Sequence, residues 1–136
     1  YVATGKARYE FRALTTAGAN AQPNTAQVYN ILECVELAKP GSFFYASDIA
    51  YDLVLNGVRG AEFSSVMAER TGVDYAQMLR CTQDTAEQIT VDSRLANSVG
   101  VSSTPSVFYR LNGGNPVPVS DRSFTALAAI VDTLGQ

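Results

Sequence analysis

Gly100-Val101-Ser102-Ser103-Thr104-Pro105-Ser106-Val107-Phe108-Tyr109 is a small, polar loop that stops on a proline and runs straight into an apolar, strand-forming stretch. Proline fixes φ, lacks an amide donor and biases the residue before it towards extended geometry. It is therefore tolerated at the first residue of a strand and hardly inside one. Thr104-Pro105 marks the entrance to a strand predicted over Ser106 to Leu111. The trans isomer is favoured by frequency alone, but an X-Pro bond reaches cis at an intrinsic cost of only about 0.5–1 kcal/mol. A cis bond here would turn the backbone of Ser103 and Thr104 outward as a docking edge.

Outward from that strand, Asn112-Gly113-Gly114-Asn115 supplies residues able to take positive φ, and Val117 to Val119 returns as a hairpin partner that Pro116 and Pro118 confine to an edge. Ser120 or Asp121 is expected to cap a last helix, on which Phe124, Leu127, Ala128, Ile130, Val131 and Leu134 form a continuous apolar face. In the other direction the chain is helical in pattern. Asp84 and Glu87 suggest a capping box before a helix from about Thr85 to Ser98, closed by Gly100. Asp74 can cap a short helix through Met78, Leu79 and Cys81, and Ala61 to Thr71 is a weaker helix ended by Gly72. From Phe43 to Asn56, Phe44, Ile49, Leu53 and Val54 are available to a core, and Tyr45 and Tyr51 sit at its margin or in a groove. Asn24 with Gln27 is a capping-box pair before Val28, Ile31, Leu32 and Val35 at helical spacing, and Pro40-Gly41 ends that helix.

The segment Thr15 to Pro23 is small and polar, hence a loop. Before it, Lys6 to Leu14 alternates charged and apolar side chains with period two. It is predicted as a strand with Tyr9, Phe11 and Ala13 facing a core and the row Arg8, Glu10, Arg12 facing water.

With 136 residues, 46% hydrophobic and 17% charged, the chain suits one domain with a single substantial core. A net charge of -3 with no basic cluster excludes nucleic acid as an expected partner. No apolar run approaches the roughly 18 residues of a membrane span. Histidine is absent, which removes histidine general bases, imidazole metal ligands and every Ser-His or Cys-His nucleophile pair. The chain opens on Tyr1 without a charged-then-apolar leader and is expected to be processed, trimmed or a piece of something longer.

Cys34 and Cys81 are the only cysteines. Without histidine they make a poor zinc site, so no metal is expected. They are too far apart for Cys-x-x-Cys and can be buried small hydrophobes or a structural disulfide. A disulfide closing a loop of that length would stabilise the fold by roughly 4 kcal/mol on the chain-entropy model and suits an exported protein.

Gly-Val-x-x-Thr-Pro at Gly100 to Pro105, followed by an apolar strand, Asn112-Gly113-Gly114 and a second short strand, resembles the cis-proline loop of the thioredoxin fold. In detail it is similar to the DsbA-like thiol-disulfide oxidoreductases. The likeness extends to Thr-Gly-Lys-x-Arg-Tyr-x-Phe-Arg at Thr4 to Arg12, to Asp92 to Tyr109, and to the order strand, helical cluster, Thr-Pro loop, hairpin, helix. The resemblance implies an α/β, thioredoxin-like fold. One domain would span residues 1–136, with a helical insertion at about 24–99 and with the family's N-terminal βα part absent.

In that family a first strand, a Cys-x-x-Cys and the helix it begins all precede the segment resembling Tyr1 to Arg12; none of them is in this sequence. The catalytic cysteines are therefore missing, and the resemblance places a Cys-x-x-Cys upstream of Tyr1. It also implies that the missing strand would lie between Ala7 to Leu14 and Ser106 to Leu111, and that Ser103, Thr104 and Pro105 bind substrate by strand addition. Cys34 and Cys81 lie where some members carry a structural pair, which implies a disulfide between them. The implied activity forms, breaks or isomerises protein disulfides without a cofactor. Its partners are cysteine-containing protein substrates and a redox partner protein, in the periplasm, cell envelope or outside the cell. The alternative is a redox-inactive thioredoxin-like module that holds peptides or a partner; a third reading is a shared fold with an unrelated role.

Overall fold

A computed structural model describes residues 1–15, 23–84 and 86–134. The chain is mixed α/β and mostly helical, in the order α1 (Thr25–Ala38), α2 (Phe43–Leu55), α3 (Gly60–Thr71), α4 (Tyr75–Asp84), α5 (Ala86–Ser98), β1 (Val107–Tyr109), β2 (Val117–Val119) and α6 (Phe124–Leu134). It divides into two compact units, Ala13–Ala96 and Tyr1–Arg12 with Asn97–Gln136. The sequence reading had placed its helical insertion at about 24–99.

The helical unit is built on caps that the sequence announces. Asn24 accepts the Gln27 amide at 2.9 Å while the Gln27 side chain accepts the Asn24 amide at 2.9 Å, a complete capping box at the start of α1. Asp74 accepts the Gln77 amide at 2.7 Å and starts α4. The box expected from Asp84 and Glu87, and the residues 16–22 of the predicted loop, lie outside the described residues. At the end of α3, Gly72 takes φ 65° and the Val73 amide reaches back to the Ala68 carbonyl. The Lys39 ammonium donates to the Thr71 carbonyl at 2.7 Å, so the freed helix end is answered by a cation. A β-carbon at Gly72 would stand 2.8 Å from the Lys39 nitrogen as well as straining that φ. Ser42 provides no side-chain cap to α2; Glu36 does so instead, its carboxylate accepting the amides of Gly41 and Phe43 at 2.8 Å each.

One core fills this unit. Ile31, Leu32, Cys34 and Val35 of α1 meet Ala46, Ile49, Ala50 and Leu53 of α2, Phe63, Met67 and Ala68 of α3, then Val73 and Met78. The stripe predicted on α1 is therefore the one that packs. On α2 two expectations fail, because Phe44 and Val54 are exposed. The buried face runs 46, 49, 50, 53, where two alanines let the helix sit close, and both larger residues project elsewhere. Cys34 and Cys81 are joined in a disulfide linking α1 to α4, with Cα atoms 5.8 Å apart. At the edge of the unit, buried Asp92 accepts the Ala13 amide at 3.0 Å and the Gln88 side chain at 2.9 Å.

In the other unit β1 and β2 form a two-stranded antiparallel sheet, with Val107 opposite Val119, Phe108 opposite Pro118 and Tyr109 opposite Val117. The turn takes positive φ at Asn112 (48°) and Gly113 (78°), and the Gly114 amide closes it on the Leu111 carbonyl at 2.9 Å. Ser123 caps α6 through its side chain on the Ala126 amide, rather than Ser120 or Asp121. Asp121 serves one step back, accepting the Ser123 amide at 2.9 Å.

Two further expectations are corrected here. Residues 6–14 form no strand, and Tyr9 and Phe11 are exposed; only Ala13 is buried. A period-two pattern needs a ladder partner to become a strand, and no described strand pairs with this one. No residue of α6 is buried: its apolar face is half-covered, with Phe124 at 78% exposure.

Candidate functional site

The loop before β1 places Ser103, Thr104 and Pro105 on the surface, all three exposed. The Thr104–Pro105 peptide bond is cis, the isomer expected from the resemblance. Two contacts hold the loop. The Ser106 hydroxyl donates to the Ser103 carbonyl at 2.7 Å, and the Arg122 guanidinium donates to the Pro105 carbonyl. Arg122 is the residue the sequence reading missed. It directly precedes Ser123, the cap of α6, and the antiparallel return of β2 brings it back beside the start of β1.

Ser103, Pro105, Ser106 and Arg122 line one side of a shallow hollow whose other walls are Val107, Phe108, Pro118, Val119 and Ser120. A second hollow lies between Tyr109 and the α6 residues Ala129, Ile130, Thr133 and Leu134.

The register fixes which backbone groups face outward. Pro118 has no amide hydrogen, so its pairing with Phe108 is of the non-hydrogen-bonded kind, in which both residues direct their backbone groups away from each other. The amide and carbonyl of Phe108 thus point to the edge of β1 opposite β2, and that edge has no ladder partner among the described residues. The proline costs β2 nothing, because its missing donor would have faced the outer edge.

Glu10 gathers cations from two parts of the unit. Its carboxylate accepts from Arg12 at 2.7 Å and from Arg8 at 3.1 Å, and Arg110, directly after β1, lies at 3.8 Å. The Arg12 hydrogen bond holds the Glu10 carboxyl below its ordinary range, opposed by lost hydration and helped by the charges of Arg12, Arg8 and Arg110. The row predicted to face water is thus a charge cluster that includes Arg110. The period-two spacing of Arg8, Glu10 and Arg12 announced half of it; the Arg110 contribution depends on tertiary placement.

Neither cysteine belongs to the loop. Cys34 and Cys81 are held in the helical unit as a disulfide, which leaves the chain without a thiol. The loop lies beside an open strand edge and a hollow with one cation, Arg122, and its own side chains include no redox group or nucleophilic base. The disulfide is consistent with an oxidising, extracytoplasmic setting, and no described helix is long and apolar enough to cross a membrane. Comparison of the chain with protein-family models, with curated proteins and with solved structures finds no match.

Proposed function

We propose that the chain is the larger part of a DsbA-like thiol-disulfide oxidoreductase of the thioredoxin fold, whose Cys-x-x-Cys is carried by a strand-helix segment upstream of Tyr1. One observation carries the reading: the unit that holds the Thr-Pro loop has no buried residue among those described, yet it presents an open strand edge and a half-covered helix face. Those are the two surfaces that an added strand and helix would cover. The flanking segment fits as well. Glu10, in a segment that forms no strand here, meets Arg110 at the end of β1 tip to tip at 3.8 Å, which supports an arrangement with a strand between them.

Forming and breaking protein disulfides are the same steps run in opposite directions; in the breaking direction a thiolate of the upstream motif attacks a substrate disulfide sulfur. This forms a mixed disulfide and releases the other substrate sulfur as thiolate; the second cysteine of the motif then displaces the substrate. Ser103, Thr104 and Pro105 hold the substrate backbone as an added strand. Periplasmic, cell-envelope or secreted placement accompanies this reading.

A second reading, a redox-inactive module that holds peptides or a partner, is favoured by the absence of any thiol in the chain itself. Insulin reduction by the whole gene product separates the two. Activity that disappears when the upstream cysteines become serine supports the oxidoreductase. An intact mass equal to the 136-residue chain alone, on folded monomeric material, overturns it.

A further inference from the structure

We infer that the hollow beside the Thr-Pro loop selects peptides with a carboxylate side chain next to the segment that docks on the loop. This rests on the docking role proposed above and names the substrate class. Arg122 reaches the hollow and spends one guanidinium N–H on the Pro105 carbonyl. A guanidinium carries five such donors in a fixed fork. The hydroxyl-bearing residues Ser103, Ser106 and Ser120 also line the hollow, and its remaining walls are apolar. One cation, hydroxyls and apolar side chains suit a carboxylate that arrives on an extended chain.

The local charge agrees. The neighbouring carboxylate, Asp121, is turned to the first turn of α6, where it accepts the Ser123 amide, and it does not line the hollow. Residues 1–12 and 97–136 carry Lys6, Arg8, Arg12, Arg110 and Arg122 against Glu10, Asp121 and Asp132, an excess of cations that favours an anionic visitor. Arg122 bonds the Pro105 carbonyl, so a peptide docked on the backbone of Ser103 and Thr104 runs within reach of its guanidinium.

The test is fluorescence anisotropy on the whole protein, with three labelled extended peptides that differ at one residue: glutamate, glutamine or lysine. Glutamate should bind about three- to fivefold tighter than glutamine, the size of an exposed ion pair, with lysine weakest. The order should flatten in high salt. Arg122→Gln, which keeps a donor for the Pro105 carbonyl, should abolish the preference, bringing the glutamate and glutamine peptides to the same affinity as each other; Arg122→Lys should retain it. Equal binding of all three peptides overturns the acidic selection and leaves loop docking standing. No binding of any peptide overturns both. A preference that survives in Arg122→Gln assigns it to other cations and overturns the role given to Arg122.

Discussion

Helices α2 and α6 are alike in composition and opposite in fate. Both are rich in alanine, leucine, isoleucine and valine, yet α2 buries Ala46, Ile49, Ala50 and Leu53 while α6 buries nothing. Apart from the helices, the same division holds for the units that contain them. Within residues 13–96 four helices, α1 to α4, and a disulfide enclose one core, whereas residues 1–12 and 97–134 offer two short strands, an extended segment and one helix. Burial is set by how many layers are present to share an apolar face, and a two-stranded sheet with one helix is too few. Charge divides along the same line, five basic residues against ten acidic in 13–96 and a cationic excess in the rest.

The largest test of that contrast is a pair of truncations. Phe63 is fully buried, so Phe63→Ala should cost about 3–5 kcal/mol. Ile130→Ala removes a half-covered side chain and should cost about 1 kcal/mol or less. Chemical denaturation followed by circular dichroism gives both values. Equal losses break the comparison. In a whole protein whose upstream segment covers α6, the Ile130→Ala loss should rise towards the buried-residue range of about 2–5 kcal/mol, which separates a face left open from one that is merely covered elsewhere.

Next in size is the disulfide. Cys34 and Cys81 are 47 residues apart, and removing the cross-link should cost about 4 kcal/mol on the chain-entropy model. Cys81→Ser together with Cys34→Ser should lower the unfolding free energy by that amount, with the change confined to signals from residues 13–96. Thiol labelling of unfolded, non-reduced protein should find no free thiol; two labelled thiols would remove the cross-link from the account.

The helical unit was legible in the sequence because its signals are local. Asn24 with Gln27, Asp74 and Gly72 each act within a few residues of themselves, and the α1 stripe repeats at helical spacing. The hairpin was legible for the same reason, down to Val117–Val119. What failed depends on partners remote in the chain. Tyr9 and Phe11 carry a strand pattern that no neighbouring strand accepts, and α6 carries a core face that no described layer fills. The candidate loop was visible at Ser103, Thr104 and Pro105, but Arg122 is brought to it by the hairpin and Arg110 is brought to Glu10 by folding. The disulfide was reachable only through family resemblance, since two cysteines at this spacing are equally compatible with separate burial.

A smaller effect probes the caps. Asn24→Ala removes the side-chain acceptor of the Gln27 amide and leaves only the Asn24 amide's bond to the Gln27 side chain, at a cost of about 1 kcal/mol. Hydrogen exchange should show the loss as faster exchange in the first turn of α1, with α6 unchanged. A matching acceleration in α6 would mean that the two units unfold together, and the contrast between them would then be one of burial without being one of stability.

The smallest effect lies in the unit without a core, where Glu10 is the most connected charge. Its folded-state pKa is lowered from an ordinary 4.5, so the carboxylate's contribution is complete above that value. It fades as pH falls through the lowered folded value, where protonation removes the charge that Arg12, Arg8 and Arg110 attract. The cluster is solvent-accessible, so the contribution is below about 1 kcal/mol and screened by salt. Glu10→Gln should therefore be slightly less stable than the parent at pH 7, with the difference closing towards pH 3 and in 1 M salt. A difference that stays constant from pH 7 to pH 3 would show that Glu10 acts through its shape and hydrogen bonding, and that charge does not hold residues 8–12 beside Arg110.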